Sequence, residues 1–219
     1  MEMTYAPLKE RQREIREGFS EALGLRVHRA LSWLSRDEQE EPDQDARFLF
    51  LWIAFNAAYA NDISDRANFS ERGLFSNFIQ RLVDLDRDKL LYHTVWQEFP
   101  KSIRLLINNR YVFQPFWDHQ NGQLSEEAWQ GAFARSNKAA NTALGKMDTA
   151  RVLVIVFERL YTLRNQLVHG GATWNSQVNR DQIRDGANIM HKLVPAIIHI
   201  MMENAGVVWG EPCYPVVNE

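Results

Sequence analysis

The stretch TARVLVIVFERLYTLRNQLVHGG, residues 149–171, joins a long apolar run to a polar end that contains Arg164, Asn165 and His169. Its β-branched start, residues 152–156, would suit a buried strand, but the apolar residues continue at helical spacing up to the polar end. A pattern of this length predicts a helix. The two glycines that follow His169 are typical of a helix C-terminus, so we expect this motif helix to span residues 148–170.

The N-terminal part of the chain shows the same helical periodicity. We predict a first amphipathic helix over residues 8–35, bent near Gly18 or Gly24. Residues 36–45 lack apolar periodicity and carry many carboxylates, which predicts a solvated acidic loop. A nearly all-apolar central helix follows, capped by Asp43 or Asp45.

The remaining segments also favour helices, with one exception at residues 113–122, where aromatic and turn-forming residues predict a packed loop. The other predicted segments are a connection at 61–73, one or two helices at 74–99, a short helix at 101–111, a helix starting at Ser125, a helix at 179–204 with Pro195 inside it, and a tail at 206–219. No repeat is present, so we predict one all-α helical bundle over residues 1–219 as a single domain.

Composition limits the classes of function. The 25 Lys and Arg residues against 28 Asp and Glu give a net charge of −3, which argues against coating nucleic acid through the whole surface but leaves room for a local basic cleft. The single Cys213 excludes an intramolecular disulfide and a cysteine-based zinc site. The longest apolar run, residues 48–60, is shorter than the ~20 residues of a membrane span, and the charged N-terminus lacks signal-peptide features. A cytoplasmic protein without a membrane partner is expected.

Arg164 and His169 suit metal-free phosphodiester chemistry. An arginine holds a phosphate through two parallel hydrogen bonds, and a histidine at a helix C-terminus is favoured in its protonated form and transfers protons near neutral pH. A step of five residues separates the two by roughly 140° around the helix and about 7.5 Å along it. They would meet through the reach of the arginine side chain, through loosening of the last turn, or through packing against a second copy.

The string RNQLVHG, residues 164–170, resembles the motif of the HEPN superfamily, an arginine, a polar residue and a histidine a few positions later. Here four residues separate Arg164 from His169, and Asn165 takes the polar position. The segment LWIAFNAAY, residues 51–59, is similar to the upstream helix of the Apea-like HEPN branch.

This resemblance implies a helical bundle that dimerises through the motif helix and acts as a metal-independent endoribonuclease, leaving a 2′,3′-cyclic phosphate and a 5′-hydroxyl. It implies Arg164 and His169 as catalytic residues, Asn165 and Asn56 as supporting residues, RNA and a second copy as partners, and no cofactor or metal. It also implies a toxin–antitoxin or phage-defence setting with an antitoxin or defence partner protein. Some family toxins carry a modified tyrosine at the position that Gly171 occupies here, so that regulation is not implied.

Two other functions agree with the same residues. The first is a non-catalytic RNA-binding or adaptor module of the same fold. The second is a helical protein-interaction or sensor domain that uses the aromatic residues Phe113, Phe116 and Trp117, although packing is the better interpretation of these three. Asn56, isolated in an apolar helix, would bond a backbone carbonyl or the Arg164 side chain.

Overall fold

The structure is a computed structural model that describes residues 3–39, 43–59, 71–177, 179–214 and 216. These residues form an all-α bundle in which no β-strand occurs. Their ten α-helices are α1 (Tyr5–Ile15), α2 (Glu21–Asp37), α3 (Gln44–Tyr59), α4 (Glu71–Leu85), α5 (Leu90–His93), α6 (Pro100–Asn108), α7 (Gln114–Gln120), α8 (Glu126–Gly145), α9 (Thr149–Val168) and α10 (Arg180–Glu203). A π-helical turn, Thr94–Glu98, extends α5, and 3₁₀ turns occupy Arg16–Gly18 and Arg110–Val112.

Helices α3, α9 and α10 meet at the centre of the bundle. The rings of Phe55 on α3 and Phe157 on α9 stack with their centroids 4.4 Å apart. Gly186 on α10 lets these helices approach closely, since a Cβ atom there would lie 3.1 Å from both Leu160 Cδ2 and Phe48 Cε2. Helix α9 is buried on nearly all sides through its first three turns and becomes exposed only towards its end. The polar end of α9 is therefore presented by a rigid core element.

The single first helix predicted over residues 8–35 is wrong. The chain forms α1, the 3₁₀ turn Arg16–Gly18, and then α2 as a separate helix. Ser20 starts α2, because its side-chain oxygen accepts a hydrogen bond from the Leu23 N–H at 3.2 Å. Gly24, the other predicted bend, lies inside α2.

The prediction of a solvated acidic loop is also wrong for its two ends, whereas residues 40–42 lie outside the described residues. Asp37 is fully buried at the end of α2, where it accepts hydrogen bonds from Arg47 Nε at 3.1 Å and pairs with His191 Nδ1 at 2.8 Å. Asp45 is buried at the start of α3 and accepts from Arg180 Nη2 at 2.7 Å. Buried carboxylates need such cationic partners because an unpaired charge is costly away from water.

Side-chain caps lie at several of the predicted helix starts. Asp43 caps α3, since its Oδ1 accepts from the N–H groups of Asp45 and Ala46 at 3.0 and 3.1 Å. Ser125 caps α8, with its hydroxyl oxygen 3.2 Å from the Ala128 nitrogen. Asp148 caps α9 in the same way through the Arg151 N–H, at 3.0 Å.

Residues 113–122, predicted as a loop, contain the short helix α7. Pro115 lies in its first turn, where the missing N–H costs nothing. A hydrogen bond from Gln114 Nε2 to Asp118 Oδ1, 2.9 Å long, links successive turns. The aromatic side chains Phe113 and Phe116 are buried, as the packing interpretation expected.

Two further predicted segments differ in how much of them is described. Most of the connection at 61–73 lies outside the described residues, and α4 begins at Glu71. The described part of the tail is docked on the bundle: Trp209 is buried, and the Arg26 guanidinium donates to the carbonyl oxygens of Gly210 and Glu211 at 3.1 and 2.8 Å. None of the helices in the described residues has the length and apolarity that a membrane span requires.

Candidate functional site

The end of α9 is closed by two backbone hydrogen bonds of the Schellman type, with His169 as the C-cap residue. Gly170 adopts the left-handed conformation at φ 68°, as its position after the helix predicted. These two bonds run from Gly170 N to Leu167 O at 3.2 Å and from Gly171 N to Gln166 O at 2.7 Å. A third, ordinary helical bond runs from His169 N to Asn165 O at 3.0 Å. The last of these keeps the helix regular as far as His169, so the last turn is not loosened.

A regular helix leaves Arg164 and His169 roughly 140° apart around the axis. Arg164 donates from Nη1 to the side-chain oxygen of Asn165 at 2.9 Å. Asn165 lies one turn before His169 on the same side of the helix, so this bond draws the guanidinium towards the histidine. Asn165 therefore orients Arg164.

The remaining donors of Arg164 and the ring of His169 are available to a ligand. Arg164 is half-buried and makes no other side-chain hydrogen bond or ion pair within the described residues. His169 is exposed, and its ring contacts no hydrogen-bonding partner in the same part of the chain. An anion would reach either group without first displacing a carboxylate of the described residues.

Asn56 does not lie with Arg164. Its side chain is half-buried and makes no hydrogen bond to any described residue, so neither of its two predicted partners is observed. The preceding residue, Phe55, stacks on Phe157 at 4.4 Å, which places Asn56 about two turns, or ~10 Å, from Arg164 along α9. No direct contact with Arg164 supports a role for Asn56 at the site.

Gln166, a member of the motif that sequence reasoning passed over, ties α9 to the aromatic segment after α6. Its Nε2 donates to the carbonyl oxygen of Tyr111 at 2.5 Å, and the same carbonyl accepts from Trp117 Nε1 at 2.8 Å. Its Oε1 accepts from Asn179 Nδ2 at 2.9 Å. The exposed ring of Tyr111, with the Arg110 guanidinium 5.0 Å from its centroid, thus belongs to the surroundings of the motif.

The loop after the motif is anchored to the start of α3. Trp174 is 75% exposed, yet its Nε1 donates to Asp43 Oδ2 at 2.9 Å. The neighbouring Asn175 N–H donates to Asp45 Oδ2 at 3.1 Å. Burial acts to raise the pKa of Asp43, but hydrogen bonds from Ala46, Trp174 and Asp45 outweigh it, so the pKa of this carboxyl is lowered. No sequence pattern linked Trp174 to the site.

Apolar side chains are exposed next to the motif residues. Tyr161 and Val168 are 51% and 50% exposed, and with Arg164 and Asn165 they form one stripe at helical spacing, the motif stripe. The Tyr161 ring lies against Trp52 of α3, with a centroid distance of 6.1 Å. Two half-exposed side chains thus flank the polar motif residues on one side of α9.

Within the described residues, no group of three or more His, Cys, Asp and Glu side chains is close enough to hold a metal ion. No protein-family model, curated protein or solved structure matches the chain. The HEPN resemblance therefore rests on residues 164–170 and 51–59 alone, and not on similarity over the whole chain.

Proposed function

We propose that this protein is a homodimeric, metal-independent endoribonuclease of HEPN type, in which Arg164 binds the scissile phosphate and His169 is the general acid and base. The observation that carries the proposal is the end of α9, where both side chains lie at a rigid, capped helix terminus without a competing carboxylate among the described residues. The resemblance adds a toxin–antitoxin or phage-defence setting, with an antitoxin or defence protein as partner.

The reaction has three parts. The ribose 2′-oxygen attacks phosphorus as its proton leaves, the bond from phosphorus to the 5′-oxygen breaks, and the 5′-oxygen takes up a proton. Neutral His169 accepts the first proton, and protonated His169 supplies the second. Arg164 holds the phosphate and stabilises the negative charge that grows on its oxygens.

A second copy accounts for the positions of the two residues better than a single chain does. On one regular helix Arg164 and His169 point to different sides, whereas two α9 helices packed through their motif stripes would bring two arginines and two histidines to one cleft. Two histidines would serve the two proton transfers. The exposed Tyr161 and Val168 would be buried in that contact.

The test is cleavage of total cellular RNA and tRNA by purified protein in EDTA, with end-group analysis of the fragments. Wild type should leave a 2′,3′-cyclic phosphate and a 5′-hydroxyl, and His169→Ala should be about 10²- to 10⁴-fold slower, the contribution of one proton-transfer group. The melting temperature should not change, because His169 is exposed. The exposed His28 on α2 provides the matched control, His28→Ala, which should cleave at the wild-type rate.

Three outcomes would overturn the assignment. Cleavage that survives His169→Ala would come from another site or another protein. RNA binding by folded wild-type dimer without any cleavage would indicate the non-catalytic RNA-binding module. A Trp117 variant that lost binding of a protein partner while Arg164→Ala kept it would indicate the sensor domain.

A further inference from the structure

An open groove of about 500 Å³ lies between the end of α8 and the start of α9, away from the motif. Four cationic side chains and one carboxylate line it: Arg135, Lys138, Lys146, Arg151 and Asp148. All four cations are exposed, and none makes an ion pair or a side-chain hydrogen bond within the described residues. Because arginine and lysine side chains without partners attract anions, the groove is a local basic site on a chain whose net charge is −3.

The shape of the charged surface follows from the helix. Arg135, Lys138, Thr142 and Lys146 succeed one another at steps of three and four residues, so they share one side of α8. This row is about 16 Å long. Small residues, Ala139 and Ala143, line the groove beside it. An elongated row of cations suits a linear polyanion better than a single phosphate ion.

Asp148 offsets only one of the four positive charges of the groove. Its Oδ1 accepts the Arg151 N–H at 3.0 Å, which is the cap of α9. Its negative charge therefore lies at the positive end of the helix dipole, where it is favoured. The side chain of Arg151 makes no ion pair with it and remains free to bind a ligand.

We infer that this groove binds the phosphodiester backbone of single-stranded RNA and holds the strand that enters the motif site. Arg151 and His169 are eighteen residues apart on α9, which is five full turns, so they lie on the same side of the helix about 27 Å apart. That side of α9 is not open between them, since Ile155 and Thr162 are buried and Glu158 and Asn165 half-buried, so a strand that joins the two sites would pass over the neighbouring helices. The choice of RNA among polyanions rests on the proposed function, whereas the basic groove itself does not.

The experiment measures the binding of fluorescein-labelled single-stranded poly(U) by fluorescence anisotropy over a range of salt concentrations. All proteins carry His169→Ala, so that cleavage does not interfere. The test variant adds Lys138→Gln and Arg151→Gln, one substitution from each helix. The matched control adds Arg13→Gln and Arg16→Gln, two exposed cations near the N-terminus whose side chains likewise make no ion pair within the described residues.

The groove variant should bind poly(U) on the order of 10-fold more weakly at low salt, and the control should bind as its parent does. The slope of log K against log salt should become less steep by about 1.4, since each phosphate contact to a single strand contributes about 0.7. A groove variant that binds like the control overturns the inference. The same titration with poly(L-glutamate) tests the other kind of polyanion. If the groove variant loses binding to poly(L-glutamate) but keeps binding to poly(U), the inference is overturned and the ligand is an acidic protein segment.

The two proposals fail separately. If wild type cleaves RNA and the groove variant binds poly(U) as tightly as the control, the nuclease stands and the groove inference falls. If wild type cleaves no RNA and only the groove variant loses binding to poly(U), the groove inference stands and the nuclease proposal falls.

Discussion

The guanidinium of Arg164 donates to the side-chain oxygen of Asn165 over 2.9 Å, its one side-chain hydrogen bond within the described residues. A guanidinium has five N–H donors, so this bond leaves enough of them for a bidentate contact to a phosphate. The neighbour in sequence thus fixes the direction of the arginine without consuming its binding capacity.

Replacement of Arg164 by lysine tests this relationship. Arg164→Lys keeps the charge but loses the planar fork, so we expect RNA cleavage to fall by about 10- to 100-fold, the value of one or two charge-assisted hydrogen bonds. The cleavage rate of Asn165→Ala should fall less, because this substitution removes only the hydrogen bond that orients Arg164. Single-turnover cleavage rates measure both, with Arg13→Lys on α1 as the control. Full activity in Arg164→Lys would mean that the arginine supplies charge alone.

The motif stripe predicts how the molecule associates. Tyr161→Glu and Val168→Glu each place a carboxylate in the proposed contact, where a desolvated charge is unfavourable. We expect light scattering to show a dimer for wild type and folded monomers for both variants, and we expect both variants to lose RNA cleavage. Leu105, 69% exposed on α6, provides the control: Leu105→Glu should remain dimeric. A monomeric wild type with full activity would contradict the composite site.

Local signals predicted α9 and its caps, because these depend on residues close in sequence. Asp148 lies three residues before the N–H that it accepts, and Gly170 directly follows the C-cap. The same kind of signal was present at Ser20, and a bend near Gly18 was one of two that the sequence suggested, but the helical periodicity on both sides predicted one bent helix where the chain forms two.

Contacts between distant residues could not be predicted in this way. Asp37 and His191 are 154 residues apart in sequence, and the acidic composition around Asp37 indicated solvent instead. Trp174 reaches Asp43 across 131 positions. Asn56 is a different case: its place in an apolar helix suggested a hydrogen bond to a backbone carbonyl or to Arg164, and its half-buried side chain bonds to neither within the described residues.

Gly170 fixes the exit of the chain from the motif. At φ 68° an alanine is strained, so Gly170→Ala should lower the free energy of unfolding by about 1 to 2 kcal/mol. Gly24→Ala is the matched control, because Gly24 lies inside α2 with nothing within 4 Å of an added Cβ atom. It should raise the free energy of unfolding by about 0.5 to 1 kcal/mol. Urea unfolding measures the change in the free energy of unfolding for both variants. Changes of the same sign would contradict the conformations assigned to Gly170 and Gly24.

Asp43 makes the loop after the motif sensitive to acid. Hydrogen bonds from Ala46, Trp174 and Asp45 more than offset the effect of burial and lower its pKa, so the ionised form stabilises the folded state at pH above the ordinary value of 3.8. This stabilisation is lost as the pH falls through the lowered pKa. Asp43→Asn keeps a capping side chain but has no charge. The free energy of unfolding of wild type should therefore exceed that of Asp43→Asn most at neutral pH, and the difference should shrink in acid.

Urea unfolding from neutral pH down to about pH 3 measures that difference. Trp174→Phe should shift the loss of this stabilisation to higher pH, because it removes the Nε1 donor that helps to lower the pKa of Asp43. Asp181→Asn, at an exposed carboxylate on α10 that makes a surface ion pair with Arg184, is the control for the removal of one carboxylate. If wild type and Asp43→Asn lose stability in parallel, the carboxylate is not held in its charged form by these bonds, and Trp174 is not anchored through it.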